Sequence, residues 1–151
     1  MKKYLIILTA VFIFFVLLFY FPNNSRMINS VQIAGQEIRV ELASTTTEQN
    51  KGLSGRSELP ENSGMLFVFA EPGKHSFWMK DMNFPIDIVW FTPSEGGDNS
   101  NLKVVYIKKN ATPETYPEAF TPNVDAKYVL EISAGFSDKN NLKVGDTIVL
   151  K

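Results

Sequence analysis

The chain has 151 residues, enough for one domain, with 15 Lys and Arg against 16 Asp and Glu, a net charge of −1 and a single His. The absence of Cys excludes disulfides, thiol catalysis, zinc ribbons and attachment at a lipobox cysteine, and one His leaves little for soft-metal chemistry. Two of the basic residues, Lys2 and Lys3, precede a long apolar segment, so the remainder is net acidic and no nucleic-acid partner is expected, since phosphate binding needs a basic face.

Residues 4–21 read YLIILTAVFIFFVLLFYF without a charge. As a helix rising about 1.5 Å per residue they would extend roughly 27 Å, close to the hydrocarbon thickness of a bilayer. Phe21 runs into Pro22-Asn23-Asn24-Ser25-Arg26 with no A-x-A cleavage pattern, which favours a retained signal anchor over a cleaved, secreted form. Lys2 and Lys3 before the span outweigh Arg26 after it, so the positive-inside bias keeps the amino terminus in the cytoplasm and puts the folded part outside. The expected organisation is an anchor over 1–21, a polar linker over 22–30 and an extracytoplasmic domain over 31–151.

From Val31 the apolar residues alternate with polar ones. Val31-Gln32-Ile33 and Ile38-Arg39-Val40-Glu41-Leu42 flank Ala34-Gly35-Gln36, and this predicts a β-hairpin. Thr45 and Glu48 have capping-box spacing, and Gly52 stands where a two-turn helix would stop. Further strands are expected at 65–69, 75–80, 86–91, 102–107, 127–132 and 147–150, separated by Gly, Pro and Asn clusters. About eight strands with one short helix predict an all-β domain, a β-sandwich or barrel. MLFVF and IVWF are apolar on both faces and should lie centrally beneath other structure. Residues 94–101 read as an exposed hairpin tip.

Four charged residues stand where packing alone would not put them. Asp87 lies between Ile86 and Ile88, on the face of Val89 and Phe91. Lys80 follows Phe77-Trp78-Met79, Glu131 sits within Tyr128-Val129-Leu130-Glu131-Ile132, and Arg56 closes the loop Gly52-Leu53-Ser54-Gly55-Arg56. A buried lone charge is costly, so each should find a partner or reach water at a cleft. A polar pocket with Trp78 as an aromatic rim is the functional expectation. Structural ion pairs, such as Arg56 with Asp87, are the ordinary alternative.

Asp87 and Glu131 would suit glycan hydrolysis if they faced each other across a cleft at roughly 5–9.5 Å. His75 beside Ser76 lacks the G-x-S-x-G turn of a nucleophile and reads more simply as a strand-edge histidine. Asp98-Asn99-Ser100-Asn101 lacks the spacing of a calcium loop, and there is no G-x-G-x-x-G or Walker motif. No metal, nucleotide or other cofactor is therefore expected.

Taken in order, Gly52-Leu53-Ser54-Gly55-Arg56, Gly64 to Phe69, Phe77-Trp78-Met79-Lys80-Asp81-Met82, Pro85-Ile86-Asp87-Ile88, Tyr128 to Ile132 with Ala134-Gly135, and Gly145-Asp146 resemble the domain of unknown function 192 family, also called uncharacterised protein family 0127. The resemblance covers about residues 31–150. It implies a compact jelly-roll-like β fold, often exported behind a signal or anchor, and brings no catalytic assignment to Arg56, Trp78, Lys80 or Asp87. Asp81, where many relatives have Asn, and the stretch 94–101 depart from the pattern. The functional expectation is a non-catalytic, membrane-anchored binding or accessory module of the cell envelope with a glycan or peptide ligand. An envelope hydrolase using Asp87 and Glu131, and a structural or partner-binding domain, are the alternatives.

Overall fold

Alternating sequence becomes strand pairing through the opening hairpin. In a computed structural model that describes residues 28–94 and 101–151, β1 (Ser30–Ile33) and β2 (Gln36–Ala43) pair antiparallel. Ala34 and Gly35 between them both have positive φ, 48° and 75°, which a two-residue hairpin turn matched to strand twist requires. Helix α1 (Thr46–Lys51) follows with the capping box that its sequence encodes. Thr45 Oγ1 accepts from Glu48 N at 3.3 Å, and Thr45 N donates to Glu48 Oε2 at 2.9 Å.

The helix and the loop after it carry the chain across to β3 (Ser63–Gly73), which pairs parallel with β2. A hairpin cannot make such a pairing, so a crossover element is needed here. The other barrel strands are β5 (Ile86–Pro93), β6 (Asn101–Ala111), β8 (Ala126–Ser133) and β9 (Thr147–Leu150). They complete a closed ring in the order β1-β2-β3-β8-β5-β6-β9, with β9 returning to β1. Closure leaves no free sheet edge in the ring.

The expectation of eight strands in a jelly-roll-like sandwich or barrel thus resolves as one seven-stranded barrel. The eighth expected strand, 75–80, is only β4 (Phe77–Trp78), which lies outside the ring and pairs with β7 (Ala119–Phe120). A four-residue helix, α2 (Phe136–Lys139), adds a turn that the sequence did not announce. Ser30, assigned to the linker, already belongs to β1, and its N–H and carbonyl both bond Lys151. The expected anchor 4–21 lies outside the described residues, as do most of the linker and positions 95–100 of the expected tip. Among the described residues no helix is long and apolar enough to cross a membrane.

Two cores share the central strands. Leu66, Val89, Phe91, Leu130, Ile132 and Ile148 point inward and pack with residues from the rest of the ring. Met65, Phe67, Ile88, Trp90 and Val129, on the opposite face of the same strands, pack against Leu53, Phe77, Met79 and Met82, which fold over the barrel wall. Strands β3, β5 and β8 are apolar on both faces for this reason. Phe77 anchors the outer layer with its ring edge-on to Phe67 at 4.8 Å and to Trp90 at 5.6 Å. Trp90 Nε1 donates to the His75 carbonyl at 2.9 Å, fixing the segment that leads into β4.

Candidate functional site: a cleft over a buried carboxyl

The outer layer is not filled throughout. A cavity of about 260 Å³ opens between the end of α1 with its following loop on one side and the segment 75–82 on the other. Three hydrogen bonds tie the loop after α1 to the segment 80–83. Ser54 Oγ donates to the Lys80 carbonyl at 2.8 Å, Gly55 N to the Asp81 carbonyl at 2.8 Å, and Asn83 Nδ2 to the Arg56 carbonyl at 2.7 Å. On the α1 side, Gln49 Nε2 donates to the Val68 carbonyl at 3.0 Å. Leu53, Phe67, Phe69, Phe77 and Met82 give the cleft an apolar wall, and Trp78 stands at it 55% exposed.

Glu131 lies in the floor. It is 5% exposed, and its Oε2 has no hydrogen-bond partner among the described residues. Met65 and Ile88 flank it across β3 and β5, so its own sheet offers it nothing polar. Burial pushes its pKa up to about 8, while the Arg56 guanidinium pulls the other way. Most of the Arg56 charge is engaged elsewhere, since Nη1 and Nη2 donate to Glu41 Oε1 and Oε2, each at 2.7 Å. Gly52 forms the lip above Glu131. A Cβ at that position would sit 3.4 Å from the Phe67 ring and 3.7 Å from Glu131 Oε2, and the φ of +49° disfavours any side chain there.

The four charged residues singled out from the sequence do not converge on one point. Glu131 lines the cleft; Arg56 and Lys80 do not, and their carbonyls only accept hydrogen bonds that join the two segments flanking it. The Lys80 side chain is exposed and makes no ion pair among the described residues; its carbonyl, not its ammonium, does the structural job.

Asp87 is elsewhere. It is fully buried on the barrel-interior face, where Oδ1 accepts from Asn110 N at 2.8 Å and Gly135 N at 3.2 Å, and Oδ2 from Ser137 N at 2.7 Å. This carboxylate ties the end of β6 and the start of α2 to β5. The ion pair of Arg56 with Asp87 is not formed; Glu41 takes the guanidinium instead. Nor do Asp87 and Glu131 share a cleft. In the β5–β8 register Asp87 stands opposite Ile132 and Ile88 opposite Glu131, so the two carboxyls project to opposite faces of the same pair of strands. The geometry of a paired-carboxylate hydrolase is absent.

His75 and Ser76, read as a strand edge, line the same cleft as Glu131. They do not form a nucleophile–base couple. The His75 ring stacks on Phe69 at 3.5 Å and donates from Nε2 to the Glu71 carbonyl at 3.2 Å, and Ser76 Oγ bonds Thr121 Oγ1 at 2.8 Å. Gly52, Leu53, Phe67 and Met82 were readable only as loop or core, since no single-sequence signal separates a core residue from one beside a cavity. A second cavity, about 300 Å³, lies beside Gly135 and is bordered by exposed polar residues such as Gln36, Asn62 and Lys139; Ser137 Oγ in α2 is buried and partnerless among the described residues but does not line it. Among the described residues no three His, Asp or Glu side chains are grouped as metal ligands.

Two solved structures share this architecture. A protein of unknown function from Novosphingobium aromaticivorans is 30% identical with a TM-score of 0.71, over 84% of this chain and 88% of that one. A putative transcription regulator from Sinorhizobium meliloti is 25% identical with a TM-score of 0.69, over 80% of this chain and 90% of that one. No curated protein matches the chain. The family profile described as "Uncharacterized ACR", DUF192, matches residues 29–150, from the strand that starts the barrel to the strand that closes it, and the chain therefore belongs to the domain of unknown function 192 family.

Proposed function

We propose that this protein is a non-catalytic binding or accessory module of the cell envelope, held at the membrane by residues 4–21 with its barrel outside, and that it receives a glycan or peptide ligand in the cleft above Glu131. The tether rests on the uncharged apolar run and on the position of Lys2 and Lys3 before it. One observation carries the binding role: a carboxyl 5% exposed, whose Oε2 has no hydrogen-bond partner among the described residues, forms the floor of an aromatic-walled cavity. Buried polar groups in folded proteins nearly always find partners; Ser137 Oγ, also partnerless among the described residues, lines neither cavity, whereas Glu131 faces one that a bound group can enter. An apolar concavity with a few polar groups is also the usual form of a ligand site.

Thermal melting of the full chain in detergent, screened against cell-wall glycan fragments and short envelope peptides, tests the reading. A ligand that fills the cleft raises the midpoint of the wild type by linkage and leaves that of Glu131→Met unmoved. Equal shifts in both proteins, or none with either class of compound, would remove the cleft as the binding site. Fractionation checks the tether separately: full-length protein recovered without detergent in the soluble fraction contradicts it.

A further inference from the structure

We infer that the group received at the floor of the cleft is a protonated primary amine on a flexible alkyl stem, the side chain of a lysine presented by a peptide. The inference rests on the binding reading above and narrows its ligand.

The floor offers one buried carboxyl and the walls offer aromatic rings, Phe67, Phe69, Phe77 and Trp78. Neutral hydrogen-bonding groups would satisfy the carboxyl alone. An ammonium would satisfy both, because it donates hydrogen bonds to the carboxylate and is attracted by the negative faces of the rings. Access sets the shape of the ligand. Glu131 is 5% exposed and its Oε2 is closed off beside Gly52, so a group that meets this carboxyl must arrive on something narrow. An amine attached directly to a sugar ring would be held back by that ring. Four methylenes reach the floor and bury their length against Leu53 and Met82, as lysine stems do on apolar surfaces. Trp78, half in solvent, is then left to contact the peptide that carries the lysine.

The chemistry of arrival is a proton exchange. As the ammonium docks, Glu131 loses its carboxyl proton to solvent and pairs as a carboxylate; the ligand keeps its own proton, and no other bond is made or broken. The ionisable groups around Glu131 are few. Arg56 on the loop acts on it and is itself neutralised by Glu41, while Lys51 at the end of α1 and His75 before β4 line the cavity; β3 and β5 present only Met65 and Ile88.

Calorimetric titration of the full chain in detergent with Nα-acetyl-lysine amide, in two buffers of different ionisation enthalpy from pH 6 to 9, tests this. Affinity is expected to rise about tenfold per pH unit up to about pH 8 and then level, with roughly one proton released per ligand bound below that point. Nα-acetyl-norleucine amide, the neutral analogue, should bind at least about tenfold more weakly and without proton release. Glu131→Gln should weaken the lysine ligand and abolish its pH dependence. Binding that is independent of pH, or equal for lysine and norleucine, overturns the amine. Saturation by a chitin disaccharide or glucosamine but not by the lysine amide also overturns it, and leaves the cleft as a glycan site. If no probe binds the wild type better than Glu131→Met, the inference and the cleft fall together.

Discussion

Replacing Glu131 by Gln should change how stability depends on pH more than how large it is at low pH. In the unfolded chain the carboxyl titrates near its ordinary value of 4.5, whereas in the folded protein burial raises it to about 8. Between those values the folded state holds a proton that the unfolded state has released, so raising the pH favours unfolding. The stability conferred by the neutral acid is therefore complete below about pH 4.5 and is lost as the pH climbs through 8. At slightly over about 1 kcal/mol per pH unit, the whole excursion is on the order of 4–5 kcal/mol, a large part of the total for a domain of this size. Glu41 works in the opposite direction: the Arg56 guanidinium holds its carboxyl below the ordinary range, and its contribution disappears only as the pH falls below that range. Urea unfolding of the full chain in detergent at half-unit steps from pH 5 to 9 should give a falling line for the wild type. Glu131→Gln should give a nearly flat one. Parallel curves would show that Glu131 titrates alike in both states and is not desolvated by the fold.

Asp87→Ala should lower stability by about 4 kcal/mol, since three backbone N–H groups, that of buried Ser137 among them, lose a charged acceptor; the urea midpoint measures it. Gly64→Ala should be still less tolerated than its small volume implies. The new Cβ would lie 2.7 Å from the Glu131 carbonyl oxygen and 3.0 Å from Ile132 and Leu130 side-chain carbons, forcing β3 away from β8, at about 3 kcal/mol by thermal melting. Thr45→Ala removes half of a capping box on an exposed helix and should cost about 1 kcal/mol in the same assay. Glu41→Gln frees the Arg56 guanidinium to act on Glu131, and a carbon-13 titration of the Glu131 carboxyl should show its pKa move down from about 8.

What the sequence makes legible is mostly what is local. The hairpin turn at Ala34-Gly35 and the capping box of Thr45 and Glu48 are short-range contacts, written in adjacent residues. The two-faced apolar character of MLFVF and IVWF correctly places β3 and β5 beneath other structure. The parallel pairing of β2 with β3 and the closure of β9 on β1 depend on partners distant in the chain, and nothing in a single strand encodes them. Residues 75–80 alternate as a strand would, yet the backbone turns at Asp81, whose φ is +54°, and only Phe77–Trp78 finds a partner. The strand ends at Trp78 and its alternation does not carry through to Met82, so Lys80 is exposed like Trp78 while Met82 is buried.

The two buried carboxyls show why a one-residue difference in register matters. Asp87 and Glu131 lie on neighbouring strands that are apolar on both sides, and each was recognisable as out of place. Facing inward, Asp87 meets three backbone donors and completes the fold. Glu131, facing outward, finds no partner for its Oε2 among the described residues, so desolvating that oxygen is not offset by a bond there. A residue of that kind is expected where stability has been yielded to another requirement. Glu131→Met therefore separates the two uses of a buried carboxyl. It is of similar size, removes the orphaned Oε2, and should raise stability at pH 7 by about 1–3 kcal/mol in urea unfolding while abolishing ligand binding. A loss of stability of that size would instead show that Glu131 has a partner within the fold, and the cleft would have no vacant bond to offer a ligand.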